Sequence, residues 1–377
     1  MRKIAVLSVL TLLVAAIAGA QALTTPPSGD NQHAIVTQFI GPVKVTVDYN
    51  SPKVHSPATG EDRRGKIWGT LVPYGLTNLG FGSCKECPWR GGANENTTLT
   101  VSHPVQIEGQ TLPAGTYALF FIADPNEWTG ILSKNSTSWG SFFYDPAEDA
   151  LRFKLKPQKS DYHEYLTYDF TERQTDKATV AMKWEDLQVP IHITVPNMSD
   201  VYLTQMRKEL RNAPGFNWQN WNQAAQYALK EKKLDDAYQF AQAATDPTFG
   251  IGQQNFQTLS TLADIQEARG MAEAKATRDK ALSHATATAT ALHQYARQQL
   301  QKGNKAEAIR VWQLNAKNHP NEWPVNVGLM RAYSAEGKYK EALKYAKMAL
   351  AQAPDDGNKK NLEASIKKLE EGKDVNS

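Results

Sequence analysis

The sequence predicts a mixed two-domain protein, an all-β sandwich followed by an all-α solenoid of helical hairpins. Three observations predict it. The 377 residues exceed what one hydrophobic core usually serves, about 250–300 residues. From about residue 33 to 195, apolar and polar residues alternate as in strands with one buried face. After Val195 the period becomes helical, alanine becomes abundant, and landmarks recur 34 residues apart: Gly303 and Gly337, Ala274, Ala308 and Ala342, Pro320 and Pro354.

The first 22 residues stand apart from both patterns. Met1-Arg2-Lys3 is positive, Ile4 to Gly19 is apolar, and Ala20-Gln21-Ala22 is an A-x-A cleavage pattern. Residues 1–22 therefore read as a signal peptide, cleaved after about Ala22, and the mature chain as periplasmic or secreted. No other segment approaches the length of a membrane span. Taking Arg2 and Lys3 from 42 Lys+Arg leaves 40, against 39 Asp+Glu. So even a balance argues against a nucleic-acid partner. Residues 23–200 carry 15 basic and 20 acidic side chains, and residues 201–377 carry 25 and 19, in keeping with a boundary near 200.

Residues 23–32 read as a linker and 33–196 as the β domain. "VKVTVDY" alternates strictly. "LPAGTYALFFI" is a strand entered through a Pro-Ala-Gly turn. "DPNEW" separates it from "TGILS" as a hairpin loop does. "LRFKLK", "YLTYDF", "ATVAMKW" and "VPIHITV" complete about eight to ten short strands, which favours a sandwich.

Residues 197–216 read as a linker or helix, and 217–377 as the solenoid with a C-terminal capping helix that frays. "LMRAYSAEGKYKEALKYAKMALAQAPDD" resembles a tetratricopeptide repeat, with Leu329, Tyr333, Gly337, Ala342, Ala349 and Pro354 at that family's spacings. It departs from the pattern at Asn326 and Met330. A second copy holds Leu292, Ala296, Gly303, Ala308 and Pro320. A third holds Trp221, Ala225 and Ala237, with Lys232 where glycine is usual, and 255–283 is a degenerate fourth. Small residues let paired helices approach, and stacked units bury faces that one pair cannot.

The usual catalytic signatures are missing. There is no G-x-S-x-G elbow and no Walker-type loop, "LGFGSC" lacks a strand-to-helix setting, and "HEYLT" lacks a second histidine. His55, His103, His163 and His192 are scattered, so no metal site, cofactor or catalytic residue is expected. Cys84 and Cys87 are the only cysteines, and an oxidising compartment favours a structural disulfide. Redox catalysis is the weaker alternative, because Pro88-Trp89-Arg90-Gly91-Gly92 is poor helix sequence.

"VTVDYNSP", "GKIWGTLVPYG", "PWRGGANENTT", "LPAGTYALFFI", "EWTGILSKNSTSWGSFFYD", "LRFKLKP" and "MKWEDLQVPIHI" stand in an order and spacing that resemble the secreted bacterial family called domain of unknown function 2911. "LTNLGFGSCKEC" is inserted relative to that pattern, so the cysteine pair reads as a local elaboration. The resemblance implies fold and compartment and carries no activity. Within "PWRGGANENTT" two readings remain. One is a structural brace of Arg90, Glu95 and Asn94; the other is a ligand pocket of Trp89, Arg90, Asn94 and Glu95 walled by Trp139, Tyr144 and Asp145.

The leading functional reading is a non-enzymatic interaction protein whose solenoid groove takes a protein or peptide. Its inward positions are His293, Arg297, Leu300, Val327, Arg331 and Ser334. The alternative is a β domain that binds a small ligand or glycan at the Arg90 loop. An enzyme sited there is the weakest of the three.

Overall fold

The computed structural model describes residues 28–376, so the signal-peptide reading and the first half of the expected 23–32 linker lie outside the described residues. The chain divides into two compact units between Met198 and Ser199.

The first unit is antiparallel throughout. Its strands are β1 (Gln32–Ile40), β2 (Val43–Ser51), β3 (Thr98–Val101), β4 (Val105–Ile107), β5 (Gln110–Leu112), β6 (Gly115–Ile122), β7 (Trp128–Ser133), β8 (Asp149–Leu155), β9 (Gln158–Arg173) and β10 (Lys177–Thr194). They form a six-stranded sheet ordered β1-β2-β3-β6-β7-β8 and a four-stranded sheet ordered β5-β4-β10-β9. Neither closes into a barrel. Alternation explains the layering: Val43, Val45 and Val47 of β2 are fully buried while Lys44 between them is exposed. Tyr49 of β2 meets Tyr168 of β9 edge-on at 4.9 Å, so the sheets face one another through these rings.

Between β2 and β3 the chain leaves regular structure for residues 52–97. Isolated pairings hold this excursion down, among them Thr77 with Cys87 and Trp89 with Phe121. It carries the disulfide and the Trp89-Arg90 stretch.

The second unit has ten helices among the described residues: α1 (Met198–Glu209), α2 (Trp218–Lys230), α3 (Leu234–Thr245), α4 (Phe256–Ala268), α5 (Ala274–Ser283), α6 (Ala289–Gln301), α7 (Lys305–Asn318), α8 (Trp323–Ala335), α9 (Tyr339–Ala351) and α10 (Asp356–Glu370). From α2 to α9 they pack as hairpins, α2 on α3, α4 on α5, α6 on α7 and α8 on α9. First helices also meet one another, α2 with α4 and α6 with α8. Ala237, Ala308 and Ala342 are fully buried where the pairs close. Gly328 lets α8 approach α7 closely, since a Cβ there would lie 2.5 Å from the Trp312 ring. α10 packs on α9, and Leu362 and Leu369 cover the last hairpin. The chain after α10 is not loose: Asp374 and Asn376 hydrogen-bond back to α8.

The turns between paired helices need a left-handed residue. Gly270, Gly303 and Gly337 supply it at φ 69°, 84° and 76°. In the first hairpin Lys232 does so at φ 59°, where a Cβ costs energy. Lys232 is exposed, so nothing else is lost when it is replaced. Lys232→Gly should stabilise the protein by about 0.5–1 kcal/mol in urea unfolding of the full chain. An unchanged or lowered midpoint would show that this turn stores no strain.

Candidate functional site

Trp89 is fixed by a two-way backbone pairing with Phe121, at 2.8 and 2.7 Å. Its ring stacks on Trp184 (6.3 Å between centroids, 15° between planes) and meets Trp68 and Trp128 edge-on. The next two residues must be small. A Cβ on Gly91, at φ 65°, would lie 2.8 Å from the Tyr168 hydroxyl, and one on Gly92 would lie 2.9 Å from the Asn50 carbonyl. The Gly91 carbonyl instead accepts from Tyr168 Oη at 2.8 Å and from Thr97 Oγ1 at 3.1 Å.

Arg90 Nη1 donates to the Asn94 carbonyl at 2.5 Å, closing the loop on itself. The guanidinium lies over Trp139 and Phe142, 5.0 and 5.4 Å from their centroids. Gly140 makes room, since a Cβ there would come within 2.5 Å of Arg90 Cζ. Burial pushes the Arg90 pKa down, and the charge of Glu95 opposes that shift. The expected brace is corrected in one respect: the Arg90 and Glu95 side chains make no direct ion pair. Glu95 Oε2 accepts from Asn50 Nδ2 at 2.9 Å, so each charge has its own partner.

A cavity of about 490 Å³ opens beside this loop. Trp89, Arg90, Asn94 and Trp139 line it, with Trp184, Arg63 and Leu79, and no carboxylate among the described residues does. Trp184 is 1% exposed and its indole N–H has no partner. Glu95, Tyr144 and Asp145, expected in this pocket, are not in its walls. The Tyr144 hydroxyl binds Asp149 at 2.8 Å and accepts from Arg152 Nη2 at 2.7 Å. Asp145 caps the short 3-10 turn Pro146–Glu148. Short-range pairing captured both. Cys84 and Cys87 are disulfide-bonded and buried, and Cys87 borders the cavity.

In the helical unit, four of the six expected groove residues meet at one place. His293 and Arg297 of α6 and Val327 and Arg331 of α8 line a second cavity of about 490 Å³, closed by Leu362 and Ser365 of α10. Its apolar wall includes Trp323 and Met330, and no carboxylate among the described residues lines it. Leu300 packs instead against the core around Leu292 and Trp312. Ser334 is also absent from the cavity wall; it is 1% exposed, beneath the returning tail. Sequence reasoning missed that return. Its signals are Gly372, which takes φ 69°, and Val375, the lone aliphatic residue of a polar tail.

His293 is 8% exposed, and its Nδ1 accepts from Trp312 Nε1 at 3.2 Å. Burial, with the charges of Arg331 and Arg297, pushes its pKa down to about 4. The ring is therefore neutral near pH 7, with its remaining hydrogen on Nε2. Arg331 donates from Nη1 to Asn376 at 3.2 Å, while its buried Nε has no partner among the described residues.

Two predictions follow from these geometries. Arg90→Ala and Glu95→Ala should each lower full-chain stability by about 1–3 kcal/mol, because each leaves a half-buried or buried polar group unmatched. Their double-mutant coupling should stay below about 1 kcal/mol, and coupling above about 2 kcal/mol would mean that the two act as a pair. The second concerns His293, whose folded pKa lies below the ordinary 6.5. The unfolded chain then binds the proton more readily, so this group's stabilisation is complete above about pH 6.5 and is lost as pH falls toward about 4. Thermal melts between those limits should fall more steeply for the wild type than for His293→Asn, whose amide oxygen can keep the Trp312 bond. Equal slopes would contradict a buried neutral imidazole.

No curated protein matches the chain. One solved structure, described as "Crystal structure of YrrB: a TPR protein with an unusual peptide-binding site", is 14% identical, with a TM-score of 0.28 over 45% of this chain and 84% of that one. The hairpin architecture therefore rests on the helix packing itself. Residues 31–193 match the model of a family described as "Protein of unknown function (DUF2911)", which makes the β unit similar to that family from β1 almost to the end of β10.

Proposed function

We propose that this is an exported interaction protein whose helical unit binds an extended acidic peptide segment along α6, α8 and α10. The observation that carries this reading is the second cavity. Arg297 and Arg331 border it, no carboxylate among the described residues does, and an apolar wall of Trp323, Val327 and Met330 lies beside them. A cationic rim next to an apolar wall suits a peptide with acidic and aliphatic side chains. Neutral His293 adds an N–H donor without adding charge. Export is supported by the A-x-A pattern at Ala20-Gln21-Ala22 and by the Cys84–Cys87 disulfide.

A second reading concerns the β unit. Among the described residues its cavity has two arginines, no carboxylate, and a buried Trp184 N–H without a partner. A small, partly aromatic anion fits that set.

The peptide reading is tested by selecting a random peptide display library on the full chain. Acidic peptides with an aliphatic residue should be enriched. Arg297 is exposed, so Arg297→Glu should leave the fold intact and weaken those peptides about tenfold or more. Enrichment of basic peptides, or indifference to Arg297→Glu, would sink this reading.

A further inference from the structure

The chain supplies a segment that already sits on this face. After Gly372 it turns back, and residues 374–376 lie along α8. Ser334 Oγ donates to Asp374 Oδ1 at 2.7 Å and accepts from the Val375 amide at 3.0 Å. Asn376 Nδ2 donates to the Arg331 carbonyl at 3.0 Å, and Asn376 Oδ1 accepts from Arg331 Nη1 at 3.2 Å. Val375 packs into the cluster of Met330 and Leu362 and forms part of the second cavity's wall.

These are contacts of the kind a bound peptide makes. A carboxylate meets a buried hydroxyl, a backbone amide meets the same hydroxyl, an aliphatic side chain enters an apolar cluster, and an amide side chain reads a helix carbonyl. Ser334 is informative because it is buried, and the tail uses its hydroxyl as both donor and acceptor. Among the described residues, nothing fills the rest of the cavity, toward His293 and Arg297. The tail thus fills one end of a longer site. A short tethered segment of this kind is displaceable, and its tether gives it an effective concentration of about millimolar.

We infer that Asp374-Val375-Asn376 is an intramolecular stand-in for the partner, and that the partner presents a carboxylate residue followed by an aliphatic one at Ser334 and Arg331. This rests on the peptide-binding reading above and adds the sequence chemistry of the partner and a competitor built into the chain. A partner that repeats the tail's contacts and also reaches Arg297 displaces the tail. The tail then lowers the affinity of every weaker segment, which is a threshold against acidic peptides in general.

The test uses a fluorescein-labelled Lys-Asp-Val-Asn-Ser peptide and fluorescence anisotropy on the full chain. The wild type is compared with the double variant Asp374→Ala/Val375→Gly, after checking that their helical circular dichroism agrees. The variant should bind the probe about tenfold more tightly, as expected when a tethered competitor at millimolar effective concentration is removed. Adding Ser334→Ala to the variant should abolish that gain, and changing the probe's Asp to Ala should do the same. Equal affinity for wild type and variant would overturn the inference. If selected acidic peptides still bind in an Arg297-dependent way, the peptide-binding reading survives that result. If neither the probe nor any selected acidic peptide binds either protein, both fall.

Discussion

A helical hairpin cannot bury its own apolar face, and that constraint organises the half of the molecule for which we propose a function. Hairpins must stack, and stacking requires close approach. Fully buried alanines at positions 237, 308 and 342, and Gly328 under the Trp312 ring, permit it. Stacking also brings α6 next to α8, so that His293 and Arg297 come to share a cavity with Val327 and Arg331. The last hairpin has no successor. α10 covers it through Leu362 and Leu369, and the chain beyond α10 adds Val375 to the same cluster. The geometry that completes the stack is therefore also the geometry that delivers Asp374 and Asn376 to Ser334 and Arg331.

The β unit solves a related problem with aromatic rings. Residues 52–97 leave the sheet without helix or strand of their own. Trp68 and Trp89 bring that excursion onto Trp128 and Trp184, ring against ring. Gly91 and Gly92 then let the backbone lie against Tyr168 and Asn50, and Arg90 fastens the loop through the Asn94 carbonyl. What this leaves open is a cavity with cations and an unmatched indole N–H. Stability and the cavity wall thus come from the same residues, and Arg90 serves the first through contacts that do not use all its donors.

The fold was legible because its signals are periodic. Val43, Val45 and Val47 announce β2 by alternation, and the 34-residue recurrence of Gly303 and Gly337 announces the hairpins. Even the departure at Lys232 falls on a left-handed turn. The sites were less legible because they depend on which partner a polar group finds first. Arg90 and Glu95 are close in sequence and opposite in charge, yet Asn94 and Asn50 engage them separately. Tyr144 and Asp145 were taken up by Asp149 and by the Pro146–Glu148 turn. Helical spacing places His293, Arg297, Val327 and Arg331 on one face, and residues on one face of adjacent first helices converge on a common cavity. It had no means of showing that residues 374–376 come back to Ser334, since no period links a tail to a helix 40 residues earlier.

The central claim is that the tail occupies a site that an acidic peptide can take. Amide hydrogen exchange on the full chain reads that occupancy directly. The Val375 amide, bonded to Ser334 Oγ, and the Asn376 amide, bonded to Asp374 Oδ1, should exchange more slowly than their intrinsic rates in an unstructured peptide of the same sequence. Saturating acidic peptide should abolish that protection while the amides of α8 become more protected. Binding of the peptide with Val375 and Asn376 still protected would place it elsewhere and contradict the account.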